Sequence, residues 1–232
     1  MTSLAALRAQ VIGCRLCPRL ARHREAVAKN PPPRYQGQRY WGRPLPGFGD
    51  REARLLIVGL APAAHGGNRT GRMFTGDGSG QWLARALHET GFASQPTSTH
   101  VGDGFALTGA YITAAVRCAP PGNKPTSREM ARCQPYLEAE LRRLKRVSVV
   151  VALGRVAFEA FLRSREAAGH PGLKKKPRFA HGADVQLPEG VTLISSYHPS
   201  QQNTFTGKLT RPMLSRVFRR ARRILTLSRR SG

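Results

Sequence analysis

The chain has 232 residues, enough for one sizeable α/β domain, and carries 38 Lys plus Arg against 13 Asp plus Glu, a formal net charge of +25. That excess runs from Arg8 to Arg230 and points to a polyanionic partner, nucleic acid before an anionic membrane surface. No window nears the roughly 18 apolar residues of a membrane span and no signal-peptide core opens the chain, which argues against membrane-embedded and secreted classes and leads us to expect a soluble cytoplasmic protein.

Residues 3–29 have helical spacing, with Leu4, Leu7, Val11, Leu16, Leu20 and Val27, broken by Gly13 and the Cys14-Arg-Leu-Cys17-Pro18 turn. Two short helices around a ligand knuckle are expected. Residues 30–50 are rich in Pro, Gly and aromatics, which is loop chemistry, and Tyr35, Tyr40, Trp41 and Phe48 should pack that loop against the domain. Residues 54–59 form a first apolar strand, which breaks into the glycine-rich stretch GLAPAAHGGNRTGRMFTGDGSG carrying His65, Asn68, Arg69, Arg72, Phe74 and Asp77. A helix follows from near Ser79 through residue 90, with Trp82, Leu83, Ala86 and Leu87 on its inner side.

A second strand ends near Val116, before Cys118 opens a loop. Thr126 with Glu129 three residues on is a capping-box pattern for a helix over 127–145 that bears Cys133. Residues 147–153 are a third strand, followed by Gly154 and a helix through Phe158, Phe161 and Leu162. Residues 164–188 read as a basic surface loop or hairpin, 192–197 as a fourth strand running into His198-Pro199-Ser200, and 209–227 as a basic helix with Leu214, Val217, Phe218 and Ile224 inward. Strands alternating with helices predict a single domain over residues 1–232, a three-layer α/β/α fold with a central four-stranded parallel sheet. Its C-terminal loops gather in one cleft, and the loops after strands one and four should both open there.

Two constellations carry chemistry. Cys14-x2-Cys17 is a knuckle, whereas Cys118 and Cys133 are widely spaced. A reducing compartment favours metal over disulfides. Zinc, an iron–sulfur cluster and four separately buried thiols all remain open from spacing, although zinc more often uses two short knuckles. The second constellation sets His198, at a strand end before Pro199 and a polar turn, against the loop bearing Phe74 and Asp77. Such a His can donate a hydrogen bond into the cleft, an aromatic ring offers a stacking face, and a carboxylate can steer water.

Residues 59–77 (GLAPAAHGGNRTGRMFTGD), 198–210 (HPSQQNTFTGKLT) and 111–126 (YITAAVRCAPPGNKPT), with four cysteines in this order, closely resemble the family 5 uracil-DNA glycosylases from about Cys14 to the C-terminal helix. The resemblance implies a monofunctional enzyme that flips a damaged base from double-stranded DNA and hydrolyses its N-glycosidic bond, beginning base excision repair. It implies a structural [4Fe–4S] cluster on Cys14, Cys17, Cys118 and Cys133. Phe74 matches the aromatic that stacks on the base, within a pocket that includes Gly59, Ala61, Ala114 and His65. His198 matches the histidine that bonds the base's O2 as charge builds there. Gln201, Gln202, Asn203, Thr204 and Phe205 match a loop that enters the minor groove, and Lys208 and Arg211 border it. A monomer is expected.

Two departures within the superfamily are informative. Relatives carry an acidic or Asn residue in the first motif to position water, whereas residues 60–64 (Leu-Ala-Pro-Ala-Ala) hold no polar side chain. The role then passes to Asp77, which could equally be a helix-capping Asp, with Asn68 and His65 in reserve. Ala114 stands where family 4 enzymes place an Asn that reads uracil, so a roomier pocket is expected, open to hypoxanthine and also to xanthine and 5-hydroxymethyluracil. The basic residues Lys174, Lys175, Lys176, Arg178, Arg216, Arg219, Arg220, Arg222 and Arg223 supply affinity for phosphates. A non-catalytic binding module on the same scaffold is the competing reading. A covalent uracil-trapping relative is disfavoured because its His-bearing insertion has no counterpart here.

Overall fold

The computed structural model describes residues 3–227. Two N-terminal helices, α1 (Leu4–Ile12) and α2 (Pro18–Lys29), flank the Cys14–Cys17 turn, with Ser3 capping the first and Pro18 opening the second. A short strand β1 (Phe48–Gly49) precedes the central strand β2 (Leu55–Gly59), and the glycine-rich loop after it contains one helical turn, α3 (Gly67–Thr70), before α4 (Gly78–Glu89). Then come β3 (Ala110–Ala114), α5 (Ser127–Leu141), β4 (Val149–Leu153), α6 (Arg155–Ala167), β5 (Asp184–Gln186), β6 (Thr192–Ser196), α7 (Gln201–Phe205) and α8 (Arg211–Leu227). The expected capping box is formed: Thr126 accepts from the Glu129 amide and the Glu129 carboxylate accepts from the Thr126 amide.

The sheet order is β1-β3-β2-β4-β6-β5, and β3, β2, β4 and β6 are parallel. Every residue of these four strands is buried, as a sheet covered on both faces requires. The expected parallel core is therefore present, but the sheet is mixed. Antiparallel β1 and β5 extend its two edges, and the pairing of β5 with β6 makes the end of the 164–188 stretch a hairpin rather than a loop, one of the two forms expected for it. One face packs on α4 and α8 through Leu83, Leu87, Leu214, Val217, Phe218 and Ala221. The other packs on α5 and α6 through Leu137, Ala157, Phe158 and Phe161. The chain leaves β2 for β3 on one side and later crosses to β4 on the other, so the strand order reverses at β2, where open α/β sheets bind ligands.

Candidate active site

The site is assembled at the C-terminal ends of the parallel strands. Gly59 closes β2 directly opposite Ala114 at the end of β3. A methyl group on Gly59 would sit 2.8 Å from the edge of the Phe74 ring, so the absent side chain is what lets that ring lie over the strand end. Phe74 holds φ +51°, a conformation costly for an aromatic residue. It is held from both sides. Arg72 donates Nε to the Thr75 hydroxyl at 2.9 Å and Nη2 to both Asp103 oxygens at 2.8 and 2.9 Å, while Thr75 and Ser98 share a buried hydrogen bond of 2.7 Å. The Arg72 bonds, with the backbone amides of Phe105, Thr99 and His100, hold the Asp103 carboxyl well below its ordinary range despite burial. Nothing in the sequence pairs Arg72 with Asp103, 31 residues on, and the clamp was missed for that reason.

From β6, His198 meets this loop with its ring centre 5.8 Å from that of Phe74 and the planes tilted 34°. Gly154 lies behind the His198 side chain and holds φ +96°, a conformation that favours glycine. Burial lowers the His198 pKa to about 4, so the imidazole is neutral at pH 7 and donates through one nitrogen only. Asn203, in the first turn of α7, donates to the His198 carbonyl at 2.8 Å and ties the following segment to it.

Asp77 is the N-cap of α4, and Oδ1 accepts from the Gly80 amide at 2.8 Å. The capping reading is therefore real, yet it employs one oxygen. The other, Oδ2, lies where a side chain on Gly66 would have to stand, only 1.8 Å from the place of its Cβ. Burial raises the Asp77 pKa, opposed by amides of Gly80 and Ser79 and by the charge of Arg69. Arg69 in turn laces the loop, donating to the carbonyls of His65 and Gly76, both at 2.8 Å.

The remaining pocket candidates make other contacts. Asn68 is fully buried and donates through its amide nitrogen to the Arg24 carbonyl at 3.1 Å, tying the loop to α2, while its Oδ1 has no partner among the described residues. His65 bonds the Tyr40 hydroxyl through Nδ1 at 3.0 Å and stacks on Tyr35, and burial lowers its pKa. Ala61 packs on the cluster around Cys118 and Cys133. The segment expected to be a loop, residues 201–205, is the short helix α7 with Ser200 as its cap, because that hydroxyl accepts from the Asn203 amide. Gln201 and Gln202 are exposed and Phe205 is 83% exposed at the helix end, an unusual placement for so large an apolar side chain. Lys208 lies over the Tyr197 ring at 5.0 Å and Arg211 over Trp82 at 5.7 Å. Arg222 is turned inward over Phe92 at 3.7 Å and donates to the Thr90 carbonyl, so it belongs to the packing of α8 on α4.

Cys14, Cys17, Cys118 and Cys133 line one pocket with Leu20, Arg24, Arg117 and Tyr136. The Cys118 sulfur accepts from Arg24 at 3.5 Å and the Cys133 sulfur from the Arg117 amide at 3.3 Å. Burial pushes Cys118 up to about 11 and Cys133 up to about 12, so both stay protonated as free thiols. Arg117 is buried and paired with Glu140 at 2.6 Å, but its Nε and Nη1 have no partner. Among the described residues no three His, Cys, Asp or Glu side chains close on a single ion. An iron–sulfur cluster is broader than an ion and anionic with its thiolates, so four spread sulfurs beside unpaired buried guanidinium N–H groups fit it.

A family model described as the uracil DNA glycosylase superfamily matches residues 46–222. The chain is similar to a type-5 uracil-DNA glycosylase of Thermus thermophilus, 53% identical over 92% of this chain and 94% of that protein. It is likewise similar to the type-5 enzyme of Mycobacterium leprae, 52% identical over 96% of each chain. A type-5 relative from Pyrobaculum aerophilum is 46% identical over 91% of this chain and 89% of its own. On that match and those relatives, the chain belongs to the uracil DNA glycosylase superfamily and stands with its type-5 members.

Proposed function

We propose that this protein is a monofunctional DNA glycosylase that excises uracil and other deaminated bases from double-stranded DNA. The observation that carries the reading is the pairing of Phe74 and His198 across the strand ends, with Asp77 three residues further along the Phe74 loop and one of its carboxylate oxygens left over from capping. A base turned out of the duplex stacks on Phe74, and the neutral His198 donates its N–H to the base oxygen on which charge collects. As the C1′–N bond breaks, its electron pair leaves with the base and the sugar becomes an oxocarbenium ion. Asp77, ionised, stabilises that cation and orients the water that adds to C1′, the water's second proton passing to solvent or to the departing base. No strong base is required, which suits a carboxylate.

Ala114 presents a buried methyl group where a hydrogen-bonding side chain would discriminate among bases, so tolerance of hypoxanthine, xanthine and 5-hydroxymethyluracil accompanies uracil excision. Phe205 wedges the minor groove from the end of α7, with Gln201, Gln202 and Lys208 beside it. Cys14, Cys17, Cys118 and Cys133 hold a structural [4Fe–4S] cluster that, when bound, crosslinks the N-terminal helices to the loop after β3 and to α5. Arg117 and Arg24 offset its negative charge. Release of bases from duplexes holding uracil, hypoxanthine, xanthine or 5-hydroxymethyluracil tests the reading. Failure to release uracil would overturn it, and uracil alone would overturn the tolerant pocket.

A further inference from the structure

A groove of about 260 Å³ lies between α4 and α8, lined by Trp82, Arg85, Glu89, Thr97, Arg211 and Ser215. It is just below the roughly 300 Å³ at which drug-sized pockets begin, the scale of one small planar group. Trp82 packs its inner edge on the core, and the Arg211 guanidinium stands 5.7 Å from the indole centre. Arg85 and Arg211 are exposed, and Ser215 donates to the Glu89 carboxylate across the groove, joining α8 to α4. None of these contacts is needed for the chemistry above except for the phosphate role of Arg211.

The groove's position ties it to the reactive cleft. Helix α4 begins at the Asp77 cap, and Trp82 follows five residues later, about 7.5 Å along the axis at 1.5 Å per residue. That distance corresponds to about two base steps of a strand at 3.4 Å each. Helix α8 opens at Arg211, six residues beyond the exposed Phe205 at the end of α7. The groove is thus linked through α4 to the carboxylate loop and through the start of α8 to the wedge helix.

We propose that this groove is a second nucleobase subsite, in which a base neighbouring the lesion lies between the Trp82 indole and the Arg211 guanidinium while Arg85 meets the adjoining phosphate. The proposal rests on the DNA-glycosylase reading. A base between two planar groups needs about 6.8 Å, two stacking separations of about 3.4 Å. Arg211, exposed on the first turn of its helix, has therefore to yield by only about 1 Å. Aromatic faces accept any base, and guanidinium groups add cation–π attraction. Glu89 repels a bare phosphate or an acidic peptide, but it accepts hydrogen bonds from an exocyclic amino group. The subsite therefore favours cytosine, adenine or guanine over thymine.

The test uses duplexes carrying a non-cleavable 2′-fluorinated uridine and an abasic analogue at each of the neighbouring positions in turn, with Kd measured for the native protein and for Trp82→Leu. At one position, removal of the base weakens native binding roughly 5- to 150-fold and leaves Trp82→Leu unmoved. Trp82→Phe retains most of that coupling and Arg211→Ala loses part of it, which keeps the test intact should Trp82→Leu fold poorly. A base-removal penalty below about twofold at every position in the native protein, or one that Trp82→Leu and Arg211→Ala both keep in full, overturns the subsite. Uracil release without coupling removes only the subsite, whereas coupling without release removes the glycosylase reading and leaves the subsite standing.

Discussion

Replacing Asp77 by Asn separates the helix cap that its carboxylate forms from the catalytic role proposed for it. Asn is as good an N-cap as Asp, so the bond from the Gly80 amide to Oδ1 survives. The favourable meeting of a negative charge with the N-terminus of α4 is lost, about 0.3–1 kcal/mol, but so is the cost of holding a buried charge, which is what raises this pKa. The opposed terms leave stability within about 1 kcal/mol of native, a Tm shift of roughly 2–4 °C in a domain of this size. Turnover should behave otherwise. A preorganised group acting on charge that develops in the transition state typically contributes 10²–10³ in rate, about 2.7–4 kcal/mol. Single-turnover release from a uracil duplex, with Kd from the fluorinated analogue, is therefore expected to show a fall of at least about 100-fold at little-changed affinity. A variant within about threefold of native turnover would show that the carboxylate only caps its helix. In the native enzyme the acid limb of kcat/KM should lie above the ordinary carboxylate value of about 3.9, since on the proposed mechanism Asp77 must be ionised and its pKa is raised.

Gly66→Ala leaves the charge in place but puts a methyl group 1.8 Å from Oδ2, so turnover falls with the carboxylate displaced, again with the fold retained by circular dichroism. His198→Asn removes a group with a native pKa of about 4 against about 6.5 unfolded. Between those values the unfolded chain takes up a proton that the native one refuses, so native stability declines as pH falls through this window. Urea midpoints at pH 7 and pH 5 should show the variant spared up to about 2 kcal/mol of that decline, while its excision rate drops 10²–10³-fold. Asp103→Asn breaks the clamp on Arg72, costs about 3 kcal/mol as the loss of a half-buried pair, and loosens Phe74. Weaker binding of flipped-base analogues with an unchanged salt slope marks that loosening, whereas equal weakening on undamaged DNA would refute it. Anaerobically purified protein is expected to contain iron and acid-labile sulfide in equal amounts, and Cys118→Ser to lose both together with thermal stability; zinc in their place would refute the cluster.

Much of the architecture was legible from local pattern. Four apolar strands, the Thr126–Glu129 box and the helices on either side of Cys14 and Cys17 follow from spacing and capping chemistry, which act within a few residues. The edge strands β1 and β5 were not, because pieces of two and three residues have no periodicity and exist only by pairing with β3 and β6. The turn after His198 was read as a loop, although Ser200 already offered a helix cap, because five residues are too few to show a helical period.

The sequence by itself determined the family and put forward Phe74, His198, Asp77 and the four cysteines as its candidate residues, since these are residue types in motifs. Only the tertiary structure decided how they stand. It showed that Asp77 caps α4 through one oxygen and has the other left beside Gly66, that Asn68 gives its amide nitrogen to the Arg24 carbonyl, and that Asp103 anchors Arg72 beside Phe74. Partners 31 or 44 residues apart are chosen by the path of the chain over the sheet, and no local spacing encodes that path.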